Sequence, residues 1–228
     1  MIIDRKFRLA RLWSNRELRH LAPCFRGSVV NVSAWDDRDK EGGHYRDYFT
    51  HARSYSCTNY PGYRGFQGLP DEQPLDLTAE LPAGWGRRFD VVFNHTTLEH
   101  TFDVRRAFAN LCELSKDVVI VVVPFAQVQH DTEAWKDYWR FTPECLRKLF
   151  GDNGLHVVYE AQSPFRRSAI YLLSMAAREP DRWTGRLPPY RPITTAGSWI
   201  GSTLTASLRD GLREAAKRVL GVRRREAQ

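Results

Sequence analysis

The chain has 228 residues, of which 42% are hydrophobic, and it carries 34 Lys and Arg against 27 Asp and Glu. This length supports one sizeable α/β domain with short appendages and excludes two full domains. No apolar run approaches the roughly 20 residues that a membrane span needs, and the first 11 residues are too charged for a secretory signal, so we expect a cytoplasmic protein.

The formal net charge of +7 is concentrated at the two ends of the chain. Residues 27–177 contain 16 Lys and Arg against 20 Asp and Glu, whereas the flanking segments together contain 18 against 7. A nucleic-acid enzyme more often places positive charge along its central groove, so we predict no specific nucleic-acid binding. The basic ends favour only weak contact with an anionic surface, such as the inner face of a membrane.

Four segments follow from this distribution. We predict a basic helical segment at 1–26, a domain at 27–177, a linker rich in Pro and Arg at 178–203, and a basic amphipathic helix with a tail at 204–228. In the first segment the pattern Ser14-x-x-Glu17 is typical of a capping box that opens a new helical turn. Packing of this helix on the sheet is favoured over a role at a membrane surface.

Seven runs of apolar and β-branched residues predict strands, at 28–33, 54–58, 75–77, 89–94, 117–123, 155–160 and 169–174. The run 117–123 is the most continuously apolar, which is typical of a central parallel strand covered on both faces. Asp103 is a predicted N-cap for a helix at 104–114, and Thr142-Pro143 opens another helix that ends near Gly151. The link between the last two strands is too short for a crossover helix, so they pair antiparallel and complete an α/β three-layer sandwich.

In an open parallel sheet, ligands bind beyond the carboxyl ends of the strands, so the loops after the strands are the candidate sites. After the first strand, the small residues of the turn 31–34 let the backbone approach a ligand, and the alternative is an ordinary turn. After the third run, Asp76 offers a carboxylate, and the alternative is an Asx turn.

Two further loops concentrate polar side chains. The stretch 94–100 is a hydrogen-bonding cluster directly after a buried strand, which favours a ligand site over a capped turn. We expect no metal there, because His95 and His100 lie five residues apart without a third ligand. In the stretch 124–140, His130 beside Asp131 is a candidate general base, and the alternative is a surface histidine in a lid.

Three runs, FDVVFNHTTLEHTFDVRRAF, VVIVVVPF and HDTEAWKDYWRFTPECLRKLFGDNGLHVV, carry a family resemblance. Over residues 27–175 the chain resembles small class I S-adenosylmethionine-dependent methyltransferases, especially those associated with glycan and natural-product modification. The elements Leu98-Glu99-His100 and Tyr138-Trp139-Arg140-Phe141-Thr142-Pro143 are its most specific parts. The resemblance implies a Rossmann-like, mostly parallel seven-stranded sheet whose last strand is antiparallel, and S-adenosylmethionine as the cofactor.

The resemblance also implies places for the cofactor. The turn formed by Asn31, Val32, Ser33 and Ala34 should face its methionine part, and Asn59 with Tyr60 should face the ribose. The adenine should meet Asp76 and Leu77, with the Asp76 carboxylate accepting from its exocyclic amine. The sulfonium should lie above Asn94 and His95.

The leading hypothesis is methyl transfer to an oxygen or nitrogen of a small polar acceptor, for instance a sugar or glycan precursor. His130 is the predicted base and His100 the alternate, because a hydroxyl acceptor must lose a proton. The predicted acceptor-side residues are Tyr138, Trp139 and Arg140, of which Arg140 suits a phosphorylated or carboxylated acceptor.

A methyltransferase-like scaffold without catalysis is the alternative. In this chain the family's glycine-rich first turn is replaced by Val32-Ser33-Ala34-Trp35, and no acidic residue stands at 58–60 for the ribose. A nicotinamide-dependent enzyme ranks last, because no G-x-G-x-x-G follows the first strand.

Overall fold

The computed structural model describes residues 9–62, 65–133, 135–164 and 170–196, together with Leu212. In these ranges the α-helices are α1 (Leu9–Leu21), α2 (Val104–Leu114) and α3 (Pro143–Asp152). The strands are β1 (Ser28–Val32), β2 (Ser54–Asn59), β3 (Glu72–Pro74), β4 (Phe89–His95), β5 (Ser115–Ala126), β6 (His156–Gln162) and β7 (Ile170–Ala177). Single 3-10 turns occur at Ala22–Cys24, Tyr45–Tyr48, Leu98–His100 and Pro180–Trp183.

All seven strands form one sheet in the order β3-β2-β1-β4-β5-β7-β6. The pairs from β3 to β5 are parallel, whereas β7 runs antiparallel to both β5 and β6. This arrangement confirms the Rossmann-like, mostly parallel sheet with an antiparallel last strand. The chain order reverses between β1 and β4, so the carboxyl ends of the central strands form the edge where a ligand is expected.

Alternate residues of β5 enter two separate cores, one on each face of the sheet. The core under α2 and α3 receives Val119, Val121 and Val123, and the opposite core, under α1, receives Val118, Ile120 and Val122. All six side chains have 0% exposure, and burying each contributes about 1.5–3 kcal/mol. The prediction that the run 117–123 is a strand covered on both faces is therefore confirmed for β5.

Side-chain caps fix the starts of α2 and α3, as predicted. The Asp103 carboxylate accepts from the backbone N–H of Arg106, and the Thr142 hydroxyl oxygen accepts from that of Cys145. These two helices carry the crossovers from β4 to β5 and from β5 to β6. Among the described residues, no α-helix lies in the connections from β1 to β4, so loops lead to that half of the sheet.

Two local predictions were wrong. The third strand is Glu72–Pro74 and not 75–77, because Leu75 and Leu77 point into the core below the sheet as anchors of a loop. The Ser14-x-x-Glu17 pattern opens no new turn, because α1 continues through it and the Ser14 hydroxyl donates to the carbonyl of Arg11 in the same helix.

The segment after β7 packs on the sheet in the part of the predicted linker that is described. Trp183 is buried, its ring centroid lies 5.2 Å from that of Phe25, and its indole N–H donates to Asp117 at 3.2 Å. The predicted helix at 204–228 lies outside the described residues except for Leu212. Within the described ranges, no helix is both long and apolar enough to cross a bilayer.

Replacing Trp183 tests whether this segment belongs to the folded unit. We expect Trp183→Ala to lower the free energy of unfolding by about 3–5 kcal/mol, since it leaves a cavity against Phe25. Trp183→Phe keeps the ring contact and loses only the bond to Asp117, so it should lower that free energy by about 1–2 kcal/mol. Urea unfolding measures both values, and a loss below about 1 kcal/mol for the alanine variant would contradict this packing.

Candidate functional site

The turn after β1 lies close to the end of β2, where the backbone N–H of Ala34 donates to the carbonyl of Thr58 at 3.1 Å. Ser33, Trp35 and Asp37 all adopt a left-handed conformation, with φ values of 58°, 55° and 58°. Glycine is the usual residue for this conformation, which costs other residues roughly 1–2 kcal/mol each. Where the family resemblance leads us to expect glycine, this turn has three residues with side chains in left-handed backbone.

Side-chain clamps hold this turn in place. The Asn59 amide oxygen accepts from the backbone N–H of Trp35 at 2.7 Å, and its nitrogen donates to the Trp35 carbonyl at 2.9 Å. The buried Asp37 carboxylate accepts from Asn31 Nδ2 and from the Tyr55 hydroxyl, each at 2.8 Å. Asn31 and Asn59, both predicted to face the cofactor, therefore use their amide nitrogens to brace the loop.

The adenine-side candidates also have partners within the chain. Asp76 Oδ1 accepts from the backbone N–H of Thr78 at 2.8 Å and from its hydroxyl at 2.7 Å. This is the Asx turn that the sequence left open as an alternative. Leu77 is buried in the core, and its carbonyl accepts from Asn110.

At the end of β4, Asn94 and His95 project to opposite faces of the sheet, as neighbouring residues of a strand do. Asn94 Nδ2 donates to the carbonyl of Val32 at 2.9 Å, which ties β4 to β1. Its Oδ1 atom, like the hydroxyl oxygen of Thr58 at the end of β2, is buried and has no hydrogen-bond partner in the described part of the chain. Such atoms are destabilising unless a ligand or water supplies a donor.

His95 is held by α1. Arg11 Nη1 lies 2.9 Å from His95 Nδ1, and the Ser14 hydroxyl lies 2.9 Å from Nε2. Because guanidinium groups only donate and the Ser14 hydroxyl donates to a carbonyl, Nδ1 accepts and Nε2 carries the proton. Burial and the Arg11 charge keep the pKa of His95 well below its usual range, so the ring is neutral.

The sequence favours packing of this helix on the sheet but does not predict which side chains α1 brings to the carboxyl edge. Arg11 also donates to the Tyr45 hydroxyl at 2.9 Å and to the Thr96 hydroxyl at 2.8 Å. Their spacing of three residues predicts that Arg11 and Ser14 share a helix face, but it does not predict which residues that face contacts.

Glu99 links the two elements that carried the family resemblance. Its backbone carbonyl accepts from the N–H groups of Tyr138 and Trp139, at 2.7 and 3.2 Å. Its side chain is buried, and neither carboxyl oxygen has a hydrogen-bond partner in the described residues. Burial raises the pKa of Glu99 to about 8, although Arg140 and Arg11 partly oppose this shift.

His130 pairs with Asp137 and not with Asp131 as the sequence suggested. His130 Nδ1 lies 3.0 Å from Asp137 Oδ2 and 3.2 Å from the carbonyl of Val128. Both neighbours are acceptors, so Nδ1 carries the proton and Nε2 of the neutral ring is the basic atom. Asp131 is adjacent to His130 in the sequence, but the loop turns so that Asp137, and not Asp131, contacts the imidazole ring of His130.

Asp137 is ionised because Arg140 holds it. Burial raises the pKa of Asp137, but the hydrogen bonds from Arg140 and from the backbone N–H of His130 outweigh that and hold it below its usual range. Arg140 binds both Asp137 oxygens and also donates to the carbonyls of Gln127 and Trp139. All five of its N–H groups are engaged, so Arg140 offers no free donor to an acceptor molecule.

The two predicted bases are neighbours. The rings of His100 and His130 meet edge to face with centroids 4.9 Å apart. His100 Nδ1 donates to the carbonyl of Lys136 at 2.8 Å, and burial and then His130 lower its pKa. Among the described residues, no group of three or more His, Cys, Asp and Glu is placed to hold a metal ion.

An aromatic rim surrounds these groups. The ring centroids of Trp35 and Trp135 are 6.5 Å apart, and those of Phe102 and Tyr138 are 5.3 Å apart. Each of these rings, and that of Trp139, is exposed over more than a third of its surface. Tyr138 and Trp139, predicted on the acceptor side, therefore lie at the solvent boundary of the polar cluster.

The raised pKa of Glu99 predicts stability that falls as the pH rises. An acid whose pKa is about 8 in the folded state and about 4.3 in the unfolded chain binds its proton more strongly when folded. The free energy of unfolding should therefore fall by about 4 kcal/mol between about pH 4.3 and pH 8. Glu99→Gln should remove this dependence in urea unfolding, whereas Glu80→Gln, an exposed control, should retain it. An unchanged slope in the Glu99 variant would contradict the buried, neutral carboxyl.

The contacts of His95 predict its tautomer. Nitrogen-15 NMR should show a neutral ring protonated at Nε2 from about pH 5 to pH 8, since its pKa is well below the usual value of about 6.5. Ser14→Ala should leave the tautomer unchanged, because Arg11 still requires an acceptor at Nδ1. A proton on Nδ1 would show that α1 does not sit against β4 as described.

Comparisons with known proteins bear on the fold. No protein-family model and no curated protein matches the sequence. Solved structures do match. One of them is magnesium protoporphyrin IX methyltransferase from Synechocystis PCC 6803 with bound SAM (S-adenosylmethionine). Its sequence is 13% identical to this chain, the match covers 74% of this chain and 77% of that chain, and the TM-score is 0.50. Another is 1,6-didemethyltoxoflavin-N1-methyltransferase from Burkholderia thailandensis, with 17% identity, coverage of 73% and 80%, and a TM-score of 0.50.

A third match is the YcgJ protein from Bacillus subtilis, at 11% identity, coverage of 73% and 98%, and a TM-score of 0.53. The sheet order of this chain, with its antiparallel β7, is the arrangement that the resemblance implied. The chain has the fold of the class I S-adenosylmethionine-dependent methyltransferases.

Proposed function

We propose that this protein transfers a methyl group from S-adenosylmethionine to an oxygen or nitrogen of a small polar acceptor. The observation that carries the proposal is a set of buried acceptor atoms without partners at the carboxyl edge of a methyltransferase sheet. Asn94, Thr58 and Glu99 all supply such atoms. Ligands bind at this edge in open α/β sheets, so a ligand rich in donors fits it.

The residues at the ends of β1, β2 and β4 fit the cofactor. Its adenine amine, ribose hydroxyls and α-ammonium group are donors, which is what Thr58 Oγ1 and Asn94 Oδ1 require. The left-handed backbone at Ser33 shapes a turn against which the methionine part can lie. When bound, S-adenosylmethionine supplies an electrophilic methyl carbon on a positively charged sulfur.

His130 is the proposed base. Methyl transfer is an in-line displacement, and a hydroxyl acceptor must release a proton as its new bond to carbon forms. His130 Nε2 takes this proton while Asp137 holds Nδ1 and stabilises the charged ring. His100 is the alternate base, and its lowered pKa makes it the weaker one.

The acceptor remains a sugar or glycan precursor by hypothesis. The named neighbours methylate a porphyrin and a toxoflavin precursor by their titles, so the fold accepts unlike substrates and selects none of them for this chain. The aromatic rim supports an acceptor with an apolar face, because Trp35 and Trp135 offer ring surface beside the polar cluster.

A methyltransferase-like scaffold is the second candidate. Asn59 and Asp76, which the family resemblance assigns to the cofactor, already have partners within the chain. A chain in which these side chains form hydrogen bonds with its own loops can keep the fold without binding the cofactor. Weak contact of the basic ends with an anionic membrane surface is compatible with either candidate and stays a proposal.

Calorimetric titration with S-adenosylhomocysteine, the product form of the cofactor, tests the proposal. Thr58→Val should weaken this binding about threefold to tenfold, the range for one neutral hydrogen bond, without lowering the free energy of unfolding. Ser174→Ala is the matched control, because its hydroxyl is also buried and unpartnered but lies in the middle of β7. Absence of binding to the unmodified protein would leave the scaffold as the function.

A further inference from the structure

Arg11 is a cation at the site without an ion-pair partner in the described residues. Its guanidinium contacts only neutral groups, namely Tyr45, His95 and Thr96. Two other partly buried arginines are ion-paired, Arg140 with Asp137 and Arg147 with Glu160, whereas Arg178 donates, within the described ranges, only to backbone carbonyls. Removing a charge from water is unfavourable unless an opposite charge compensates it, so Arg11 lacks an anion.

Acceptor atoms without partners surround the same position. Tyr171, near the start of β7 beside the carboxyl end of β5, is buried, and its ring centroid lies 6.1 Å from that of His95, which Arg11 contacts. Its hydroxyl also lies 3.4 Å from the amide nitrogen of Gln127. Both carboxyl oxygens of Glu99 and the amide oxygen of Gln127 are buried without a hydrogen-bond partner in the described ranges. The Arg11 guanidinium and the Gln127 amide thus lie near Tyr171, and the Glu99 carboxyl, which influences the pKa values of both Tyr171 and Arg11, belongs to the same region.

This cluster is distinct from Thr58 and Asn94, the two groups to which the proposed function assigns cofactor contacts. Thr58 and Asn94 belong to the β1, β2 and β4 side of the edge, and Asn94 ties β4 to β1. Arg11 and His95 lie on the opposite face, and Gln127 and Tyr171 belong to the β5 and β7 side. The second group lies next to the histidine pair, where an acceptor must place its nucleophile.

We propose that the methyl acceptor is an anionic molecule whose carboxylate or phosphate contacts Arg11 while its hydroxyl or amino groups donate to Glu99 and Gln127. This class includes acidic sugars, sugar phosphates and amino acids. The inference rests on the proposed function and assigns to Arg11 the acceptor-binding role that the sequence suggested for Arg140, whose donors are engaged. Bidentate binding of carboxylate or phosphate is what a planar guanidinium does best.

The binding test uses matched pairs that differ only in the anion. With saturating S-adenosylhomocysteine present, calorimetry measures glucose 6-phosphate against glucose, glucuronate against glucose, and tyrosine against tyrosinamide. At least one member that carries the carboxylate or phosphate should bind about tenfold or more tightly than its partner without that group, the range for a hydrogen bond to a charged group. If no anionic member does so while S-adenosylhomocysteine binds, the acceptor proposal is overturned and the proposed function stands.

Variants then assign the preference to Arg11. Arg11→Met should abolish the preference for the anion, Arg11→Lys should keep part of it, and Arg16→Met, at an exposed position of the same helix, should leave it intact. Unchanged affinity of the variants for S-adenosylhomocysteine shows that they are folded. An anion preference that survives in Arg11→Met overturns the assignment.

A second pair of ligands separates the acceptor from the cofactor's own carboxylate. 5′-Methylthioadenosine keeps the adenosine thioether of S-adenosylhomocysteine and lacks its amino-acid part. The ratio of the two affinities should be the same in the unmodified protein and in Arg11→Met. If the variant alone loses the preference for S-adenosylhomocysteine, Arg11 binds the cofactor and the proposal is wrong. If neither adenosine ligand binds the unmodified protein, both the proposal and the proposed function fail.

Discussion

The need of buried polar groups for partners organises the carboxyl edge of this sheet. Asp137 and His95 satisfy theirs inside the chain, with Arg140 and with α1. Glu99 and Asn94 leave acceptor atoms unsatisfied among the described residues. Because an unpaired buried acceptor is destabilising by about 1–3 kcal/mol, the unsatisfied groups at this edge are the positions where we propose that a ligand contributes.

Side-chain hydrogen bonds hold the loops between β1 and β4 in place, whereas α-helices carry the crossovers from β4 to β5 and from β5 to β6. The connections from β1 to β4 contain no α-helix in the described residues, yet their loops are held by Asp37 and Asn59 and by Glu72, which accepts from Asn59 and from the backbone of Leu69. The left-handed backbone at Trp35 persists because Asn59 binds both its N–H and its carbonyl. A rigid turn is thereby obtained without glycine.

Local rules recovered most of the fold and only part of the site. The β-branched runs and the caps at Asp103 and Thr142 were readable, because strand burial and capping depend on neighbouring residues. Leu75 misled the strand assignment, since an apolar residue can anchor a loop as well as fill a strand. The His130–Asp137 pair and the position of Arg11 depend on how distant segments meet, which spacing does not encode.

Charge balance connects the cofactor side of the edge to the acceptor side. In the proposed function, a sulfonium cofactor would bring positive charge to an edge where Arg11 is already positive and His95 is neutral. Glu99, with a pKa of about 8, is mostly protonated at neutral pH and compensates neither charge well. The proposed anionic acceptor would supply the missing negative charge, so we expect it to bind most strongly after the cofactor. In the proposed mechanism the same field would favour loss of a proton from the acceptor's nucleophile to His130, because it would stabilise the anion that forms.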